Sequence, residues 1–291
     1  MKKLTGILLI AISATGFGTL AIFGRFLYAA GLDTLTLLFL RFIFSASVLT
    51  VILILRREPL PRGSVLAQLI GMGALGYAGQ SFTYLSAIKY ASAGLVALLL
   101  YLYPMIVFIL SAIFLREKVT WVKVGALVLA LAGTGLTVGP AGGQALGIIY
   151  AVASAVIYSV YIIVGAGVMK RVSAMQSSLV IFTSAALVYG TLTAVNGAHF
   201  PTTSLGWWSL AGIVILATVI PVVTFLAGLE RIGPTNASLL STLEPVVTVL
   251  LAAWLFAERL EAITLIGGAL ILVAVVVLTR SEMTQTPSPE I

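Results

Sequence analysis

Apolar stretches of about 20 residues recur along this chain, each separated from the next by a short polar or Gly/Pro-containing segment. A helix of this length and character is what crossing the hydrocarbon core of a bilayer requires. Of the 291 residues, 60% are hydrophobic and only 9% are charged, whereas a soluble domain carries about 25% charged residues. The chain is therefore predicted to be an all-α polytopic membrane protein.

The breaks between these stretches predict about ten transmembrane helices, with ends placed to within about 2–4 residues. They lie near 4–28, 34–55, 64–88, 91–114, 119–138, 144–168, 175–194, 206–229, 234–257 and 260–279. With ten spans, most Lys and Arg residues fall in loops on the side that holds the N-terminus. Because cytoplasmic loops are enriched in Lys and Arg, both termini are predicted to be cytoplasmic. The net charge of +7 therefore reflects topology and does not indicate a nucleic-acid partner.

The second half of the chain repeats the first at an offset of 141 residues. Matching residues include Gly6 and Gly147, Ser13 and Ser154, Gly71 and Gly212, Pro104 and Pro245, and Glu117 and Glu258. Each repeat holds five spans, an odd number, so the second must enter the membrane from the opposite side. Inverted repeats are typical of secondary transporters, whose substrate sites lie near the midplane at the repeat interface. A duplicated helical bundle that only acts as a scaffold is the alternative.

The sequence thus predicts three regions. A first five-helix repeat occupies 1–141, a second, inverted five-helix repeat occupies 142–280, and a disordered cytoplasmic tail occupies 281–291.

Three segments resemble the drug/metabolite transporter superfamily, in particular its EamA-type exporters. They are LLFLRF at 37–42, LYPMIVFILSAIFLREKV at 102–119 and ASLLSTLEPVVTVLLAAWLFAERL at 237–260. The resemblance implies a ten-helix carrier of the bacterial inner membrane, with a central cavity lined mainly by the first four helices of each repeat. It further implies export of small metabolites by alternating access, with neutral or aromatic amino acids as the best-fitting substrates. Efflux of cationic drug-like compounds is the alternative.

Glu244 and Arg41 are ionisable residues well inside predicted spans. Glu244 lies roughly 15 Å from the cytoplasmic end of the ninth span at 1.5 Å per residue. An ionisable group at such depth is costly and indicates a function or a partner. Glu244 could bind a substrate ammonium or a proton, and Arg41 could bind a substrate carboxylate. Alternatively, the two residues form a buried ion pair that holds helices together.

A set of residues with polar tips is predicted to line the substrate cavity at a similar depth. Its members are Tyr77, Gln80, Ser81, Tyr84, Tyr101, Tyr103, Ser154, Tyr158, Tyr161 and Ser241. Several such groups converging from four helices suit a cavity that encloses a small organic solute. A single tyrosine could equally mark the membrane–water interface.

Pro104 and Pro245 occupy matching positions in the two repeats and are predicted to act as hinges. A proline inside a helix removes a backbone hydrogen bond and kinks the helix. Paired interruptions at corresponding positions point toward the binding region of a transporter. Simple packing kinks without function are the alternative.

The sequence contains no residue pattern typical of an enzyme active site. The chain has no cysteine and one histidine, His199, which is expected to be a solvated loop residue. Metal-ligand clusters, cofactor motifs and Walker-type nucleotide motifs are not found, so no cofactor and no direct use of ATP are predicted. The expected partners are a small-molecule substrate and the lipid bilayer, with a monomer as the working expectation for the assembly.

Overall fold

In the computed structural model, residues 2–87, 90–91, 96, 99–138, 144–256 and 261–284 are described, and every element in these ranges is helical. The elements before the midpoint are α1 (Lys2–Gly18), α2 (Leu20–Ala29), α3 (Thr34–Arg56), α4 (Gly63–Gly71), the helix π1 (Met72–Tyr77), α5 (Ala78–Ala87), α6 (Tyr103–Phe114) and α7 (Trp121–Val138). Those after it are α8 (Ala145–Val168), α9 (Ala174–Asn196), α10 (Ser204–Val214), the helix π2 (Ile215–Val219), α11 (Ile220–Leu240), α12 (Leu243–Phe256) and α13 (Ala262–Thr284).

Long apolar helices make this chain a multi-pass membrane protein. Six helical segments are long and apolar enough to cross a bilayer, namely Lys3–Ala29, Thr34–Arg56, Ala145–Val168, Ala174–Asn196, Ser204–Leu240 and Ala262–Ser281. Three shorter helices, Tyr103–Phe114, Trp121–Leu136 and Leu243–Leu255, are also apolar. The arrangement as ten spans stays a prediction.

Several predicted spans are divided rather than continuous. The first is broken at Thr19, between α1 and α2. The eighth and ninth are joined at Gly233, whose backbone is not helical, and the ninth is divided again at Ser241 and Thr242. At the C-terminus α13 continues to Thr284, so residues 281–284 are helical and do not belong to a disordered tail. The remainder of that predicted tail, 285–291, lies outside the described residues.

Helices of the first repeat pack against helices of the second in pairs that the repeat symmetry relates. The first span of one repeat packs on the third span of the other, as α1 packs on α11 and α5 packs on α8. The second spans pack together as α3 and α9, and the fifth spans as α7 and α13. This reciprocal pairing fits two repeats of opposite orientation.

Glycines allow some of these helices to approach closely. A Cβ on Gly6 would lie 2.6 Å from Ile232, and one on Gly228 would lie 2.7 Å from Ile10, so α1 and α11 interlock. Gly133 of α7 similarly faces the Gly267 carbonyl of α13, where a Cβ would lie 2.6 Å from that oxygen. The next residue, Gly268, has open space around it and allows no such approach.

The loop before α3 is tied to the loop before α10, and we call this contact the Asp33 clasp. Asp33 Oδ2 lies 3.0 Å from His199 Nδ1, and the His199 N–H donates to Thr36 Oγ1 over 3.1 Å. The Thr202 N–H and hydroxyl both donate to the Ala30 carbonyl. His199 is an exposed loop residue, as predicted, but it also holds its loop against the N-terminus of α3.

The same contact recurs with the roles of the two repeats interchanged, and we call it the Ser173 clasp. The Ser173 hydroxyl donates to Glu58 Oε2 over 3.3 Å, and the Gln176 side chain donates to the Pro59 carbonyl over 2.6 Å. Glu58 and His199 are 141 residues apart, which is the repeat offset. Each clasp therefore joins the N-terminus of a second span to the loop that follows the other repeat's second span, at opposite ends of the bundle.

Candidate functional site

The break in the ninth span explains how a carboxylate is accommodated inside an apolar segment. The hydroxyls of Ser241 and Thr242 donate to the carbonyls of Ala237 and Leu239 and end α11. The chain then restarts as α12 with Glu244 in its first turn. A negative charge is favoured at this position, because the N-terminus of a helix carries a partial positive charge.

The Glu244 carboxylate has neither a hydrogen-bond nor an ion-pair partner within the described part of the chain. Its side chain nevertheless keeps some accessible surface, although the helix around it is packed into the bundle. An ionisable group without a protein partner inside an apolar span is costly, which makes Glu244 a candidate functional residue. A bound solute or a proton could neutralise it.

Several tyrosines lie within electrostatic range of the Glu244 carboxylate. They are Tyr77, Tyr84, Tyr101, Tyr103 and Tyr158. These residues come from the third, fourth and sixth predicted spans, and their role as the lining of a substrate cavity stays a prediction.

Ring contacts join most of these tyrosines into a row, which we call the tyrosine row. The ring centroids of Tyr101 and Tyr103 are 6.2 Å apart, and those of Tyr103 and Tyr158 are 4.8 Å apart. The row continues to Tyr161 at 6.0 Å and to Tyr77 at a further 5.7 Å. Aromatic surface therefore extends from Tyr101 across α6 and α8 to π1.

Part of the hydrogen-bonding capacity of this region is unused. The hydroxyls of Tyr84, Tyr101 and Tyr158 have no hydrogen-bond partner among the described residues. The Tyr161 hydroxyl is also unpartnered and fully buried. By contrast, the Tyr103 hydroxyl donates to the Ser238 carbonyl over 3.4 Å. Free hydroxyls beside a free carboxylate can hold a polar solute.

Two of the predicted serines donate hydrogen bonds to backbone carbonyls. Ser154 donates to the Gln80 carbonyl over 3.2 Å, which ties α8 to α5, and Ser241 donates to the Ala237 carbonyl. The Ser81 hydroxyl lies 3.4 Å from Gln80 Oε1, and Gln80 itself remains partly exposed. The structure thus brings Gln80, Ser81 and Ser154 together, whereas Ser241 bonds within its own helix.

Arg41 lies at the far end of the tyrosine row and does not pair with Glu244 within the described residues. Its Nε donates to Thr218 Oγ1 over 2.7 Å, and its Nη2 donates to the Tyr77 hydroxyl over 3.3 Å. Only 5% of Arg41 is exposed. The structure therefore separates the two charges that the sequence offered as an ion pair. Thr218, which the sequence analysis did not single out, is recognisable afterwards as the repeat counterpart of Tyr77.

The two predicted hinge prolines lie at interruptions of helices. Pro104 and Pro245 occupy the first turns of α6 and α12, directly after two-residue turns in which Leu102 and Ser241 keep helical φ and ψ. Proline is tolerated there because the first N–H groups of a helix have no intrahelical partner. The break comes before each proline, and the proline helps the new helix to start.

The break in the first span was not predicted, and it lies against the helix that carries Glu244. The Thr248 hydroxyl donates to the Gly18 carbonyl over 3.0 Å. A Cβ on Gly18 would lie 2.8 Å from Val247 and 3.1 Å from the Glu244 carbonyl. The only local signal in the sequence is the pair of glycines in GFG at 16–18, which the apolar composition made unremarkable.

Comparison with known proteins gives matches over nearly the whole chain. The model described as "EamA-like transporter family" matches twice, at residues 4–139 and 145–280. An "Uncharacterized transporter" of Archaeoglobus fulgidus is 28% identical over 274 residues, covering 93% of this chain and 95% of that protein. The "Uncharacterized transporter YcbK" of Bacillus subtilis is 23% identical over 276 residues, covering 90% and 88%. A crystal structure superposes with a TM-score of 0.83 at 25% identity, covering 96% of this chain and 98% of that one.

Proposed function

The chain belongs to the EamA-like transporter family and is a membrane transporter of small molecules, and from this premise we propose that it exports neutral or aromatic amino acids. The carrying observation is the partnerless Glu244 carboxylate beside the free hydroxyls of Tyr84, Tyr101 and Tyr158. The carboxylate binds the substrate ammonium, and the hydroxyls donate to the substrate carboxylate. The tyrosine row packs against the side chain of the substrate. The faces of its aromatic rings also attract the substrate ammonium.

The distribution of Lys and Arg supports placing both termini in the cytoplasm of a bacterial inner-membrane protein. The antiparallel packing of α1 on α11 agrees with this topology, because Gly6 near the N-terminus lies beside Ile232. Outward transport is part of the proposal and rests on the resemblance to exporters.

Alternating access would use the interrupted helices. The turn at Tyr101 and Leu102 precedes α6, and the turn at Ser241 and Thr242 precedes α12, so both fourth spans are divided at corresponding places. Each short helix rotates about its turn, with Pro104 and Pro245 keeping the new first turn rigid. This is the use of discontinuous helices typical of secondary transporters.

Efflux of organic cations is the second candidate, and one observation favours it. Arg41, which could have bound a substrate carboxylate, is already engaged by Thr218 and Tyr77. The accessible charge at the tyrosine row is therefore that of Glu244, which suits a solute with an amine and no carboxylate.

Uptake into proteoliposomes tests the proposal. The native protein is expected to take up labelled neutral or aromatic amino acids saturably, and Glu244→Gln is expected to reduce uptake at least roughly tenfold, since a hydrogen bond to a charged group is lost. Glu230→Gln, an exposed carboxylate beside Arg231, is the matched control and should behave as the native protein.

An imposed proton gradient separates the roles of Glu244. If the gradient accelerates the native protein and leaves Glu244→Gln unaffected, then Glu244 is the coupling group. A correctly inserted native protein that takes up organic cations and no amino acid would replace the first candidate by the second.

A further inference from the structure

One buried guanidinium binds equivalent positions of both repeats. Tyr77 and Thr218, the two partners of Arg41, are separated by the repeat offset of 141 residues. We infer that Arg41 is a positioning residue of the transport cycle, which shifts its stronger hydrogen bond between Thr218 and Tyr77 as the carrier changes the side to which it opens.

Both partners lie at the ends of π-helical segments. Tyr77 is the last residue of π1, and Thr218 is the residue before the last of π2. The Thr218 hydroxyl also donates to the Ile213 carbonyl five residues earlier, which follows the π register. π-segments inside α-helices are frequent at functional sites. Arg41 therefore touches each third span at the point where its helical register is interrupted.

The Arg41 position has no charged counterpart in the second repeat. The equivalent residue is Phe182, whose ring packs 6.2 Å from Phe42 and 6.3 Å from Tyr77 between centroids. A single cation is thus placed between two related acceptors. In the state described here its bond to Thr218 is the shorter, at 2.7 Å against 3.3 Å to Tyr77.

The two bonds differ in what they join. Arg41 and Tyr77 belong to the same repeat, whereas Thr218 belongs to the other, so the bond to Thr218 crosses between the repeats and the bond to Tyr77 does not. When the repeats move relative to each other and the carrier opens to the opposite side, the bond to Thr218 lengthens and the bond to Tyr77 becomes the stronger. This inference rests on the alternating-access part of the proposed function, and it assigns Arg41 to the protein's own movement and not to the substrate.

Removing one acceptor at a time tests the inference. Thr218→Val removes the stronger bond of the described state and should reduce the population of that state. Tyr77→Phe removes the stronger bond of the opposite state and should increase the population of the described state. Thr218→Ser keeps the hydroxyl and should behave as the native protein. Thr224→Val, on the same helix without contact to Arg41, and Tyr150→Phe are the matched controls.

The absence of native cysteine makes the measurement direct. A single Ser241→Cys reporter, beside Glu244, is labelled with a membrane-impermeant thiol reagent in right-side-out and inside-out vesicles, without substrate. The ratio of the two labelling rates reports which side has access. Thr218→Val should shift this ratio roughly tenfold, as expected for losing a hydrogen bond to a charged group. Tyr77→Phe should shift it in the other direction.

The outcomes are distinct. Opposite shifts of the labelling ratio in Thr218→Val and Tyr77→Phe support the inference, provided that Thr218→Ser and the two control variants keep the native ratio. Shifts in the same direction, or none, overturn it and leave Arg41 as a static brace, provided that substrate still changes the ratio in the native protein. If substrate does not change the native ratio either, alternating access fails, and this inference fails with it.

Discussion

Gly233 shows how one residue sets the path of the chain toward the site. It links the part of α11 that packs on α1 to the short helical piece that leads to Glu244, and its backbone has φ 78° and ψ 167°. That region is essentially restricted to glycine. A Cβ there would also lie 2.9 Å from Glu117 Oε1, on a carboxylate that lies 3.8 Å from Lys123 Nζ.

Gly233→Ala is therefore expected to destabilise the protein by about 1–3 kcal/mol, the cost of a residue forced into this backbone region. Gly125→Ala is the matched control, because it lies within α7 with open space around it. In a helix interior the same change is stabilising by up to about 1 kcal/mol. Thermal unfolding in detergent measures both, and equal effects of the two substitutions would contradict the argument.

At the scale of elements, the sequence allowed the apolar helices to be located but not their interruptions. Periodic apolar runs are strong signals, and the predicted second and seventh spans closely match Thr34–Arg56 and Ala174–Asn196. The turn at Ser241 and Thr242 depends on side chains that close onto the preceding carbonyls, a choice that Ser and Thr make only in some contexts. The register of π1 and π2 has no local signal at all, because it is set by packing between repeats.

The proline positions lead to an element-scale prediction. Pro245→Ala is expected to lower stability by only about 0.4–1 kcal/mol, since the residue lies in a first turn and mainly restricts the unfolded chain. Transport should slow more than stability falls if a rigid start of α12 is needed for movement. Thermal unfolding and proteoliposome uptake on the same preparation measure the two effects. A loss of stability without any loss of transport would remove Pro245 from the proposed hinge.

At the scale of the whole molecule, the two clasps tie the repeats together at both ends of the bundle. The Asp33 clasp contains titratable groups, and burial alone would raise the pKa of Asp33. The hydrogen bonds from the side chain and backbone of Thr36, from His199 and from the Leu35 N–H outweigh that effect and hold the pKa below its usual range. The ionised form is thus the one that stabilises this end of the fold.

The sign of the pH dependence follows. A lowered folded pKa contributes stability above the unfolded value, and this contribution disappears as the pH falls through the folded value. Asp33→Asn should therefore destabilise the protein at neutral pH, with an effect that shrinks below about pH 4. Ser173→Ala, in the other clasp, removes a cap that does not itself titrate and should show a flatter profile. Unfolding temperatures of the three proteins across this range are the measurement, and parallel profiles would refute the assignment.

The break between α1 and α2 at Thr19 has no equivalent in the second repeat, where α8 runs unbroken from Ala145 to Val168. In the proposed alternating-access cycle, the two end states would consequently differ in energy, and an unloaded carrier would rest more often on one side. A solute then meets different apparent affinities from the two faces, because apparent affinity scales with the fraction of carriers ready to bind it. The final distribution of solute is still set by the gradients alone. The preference for one state therefore affects only the rate at which solute is transported from each side.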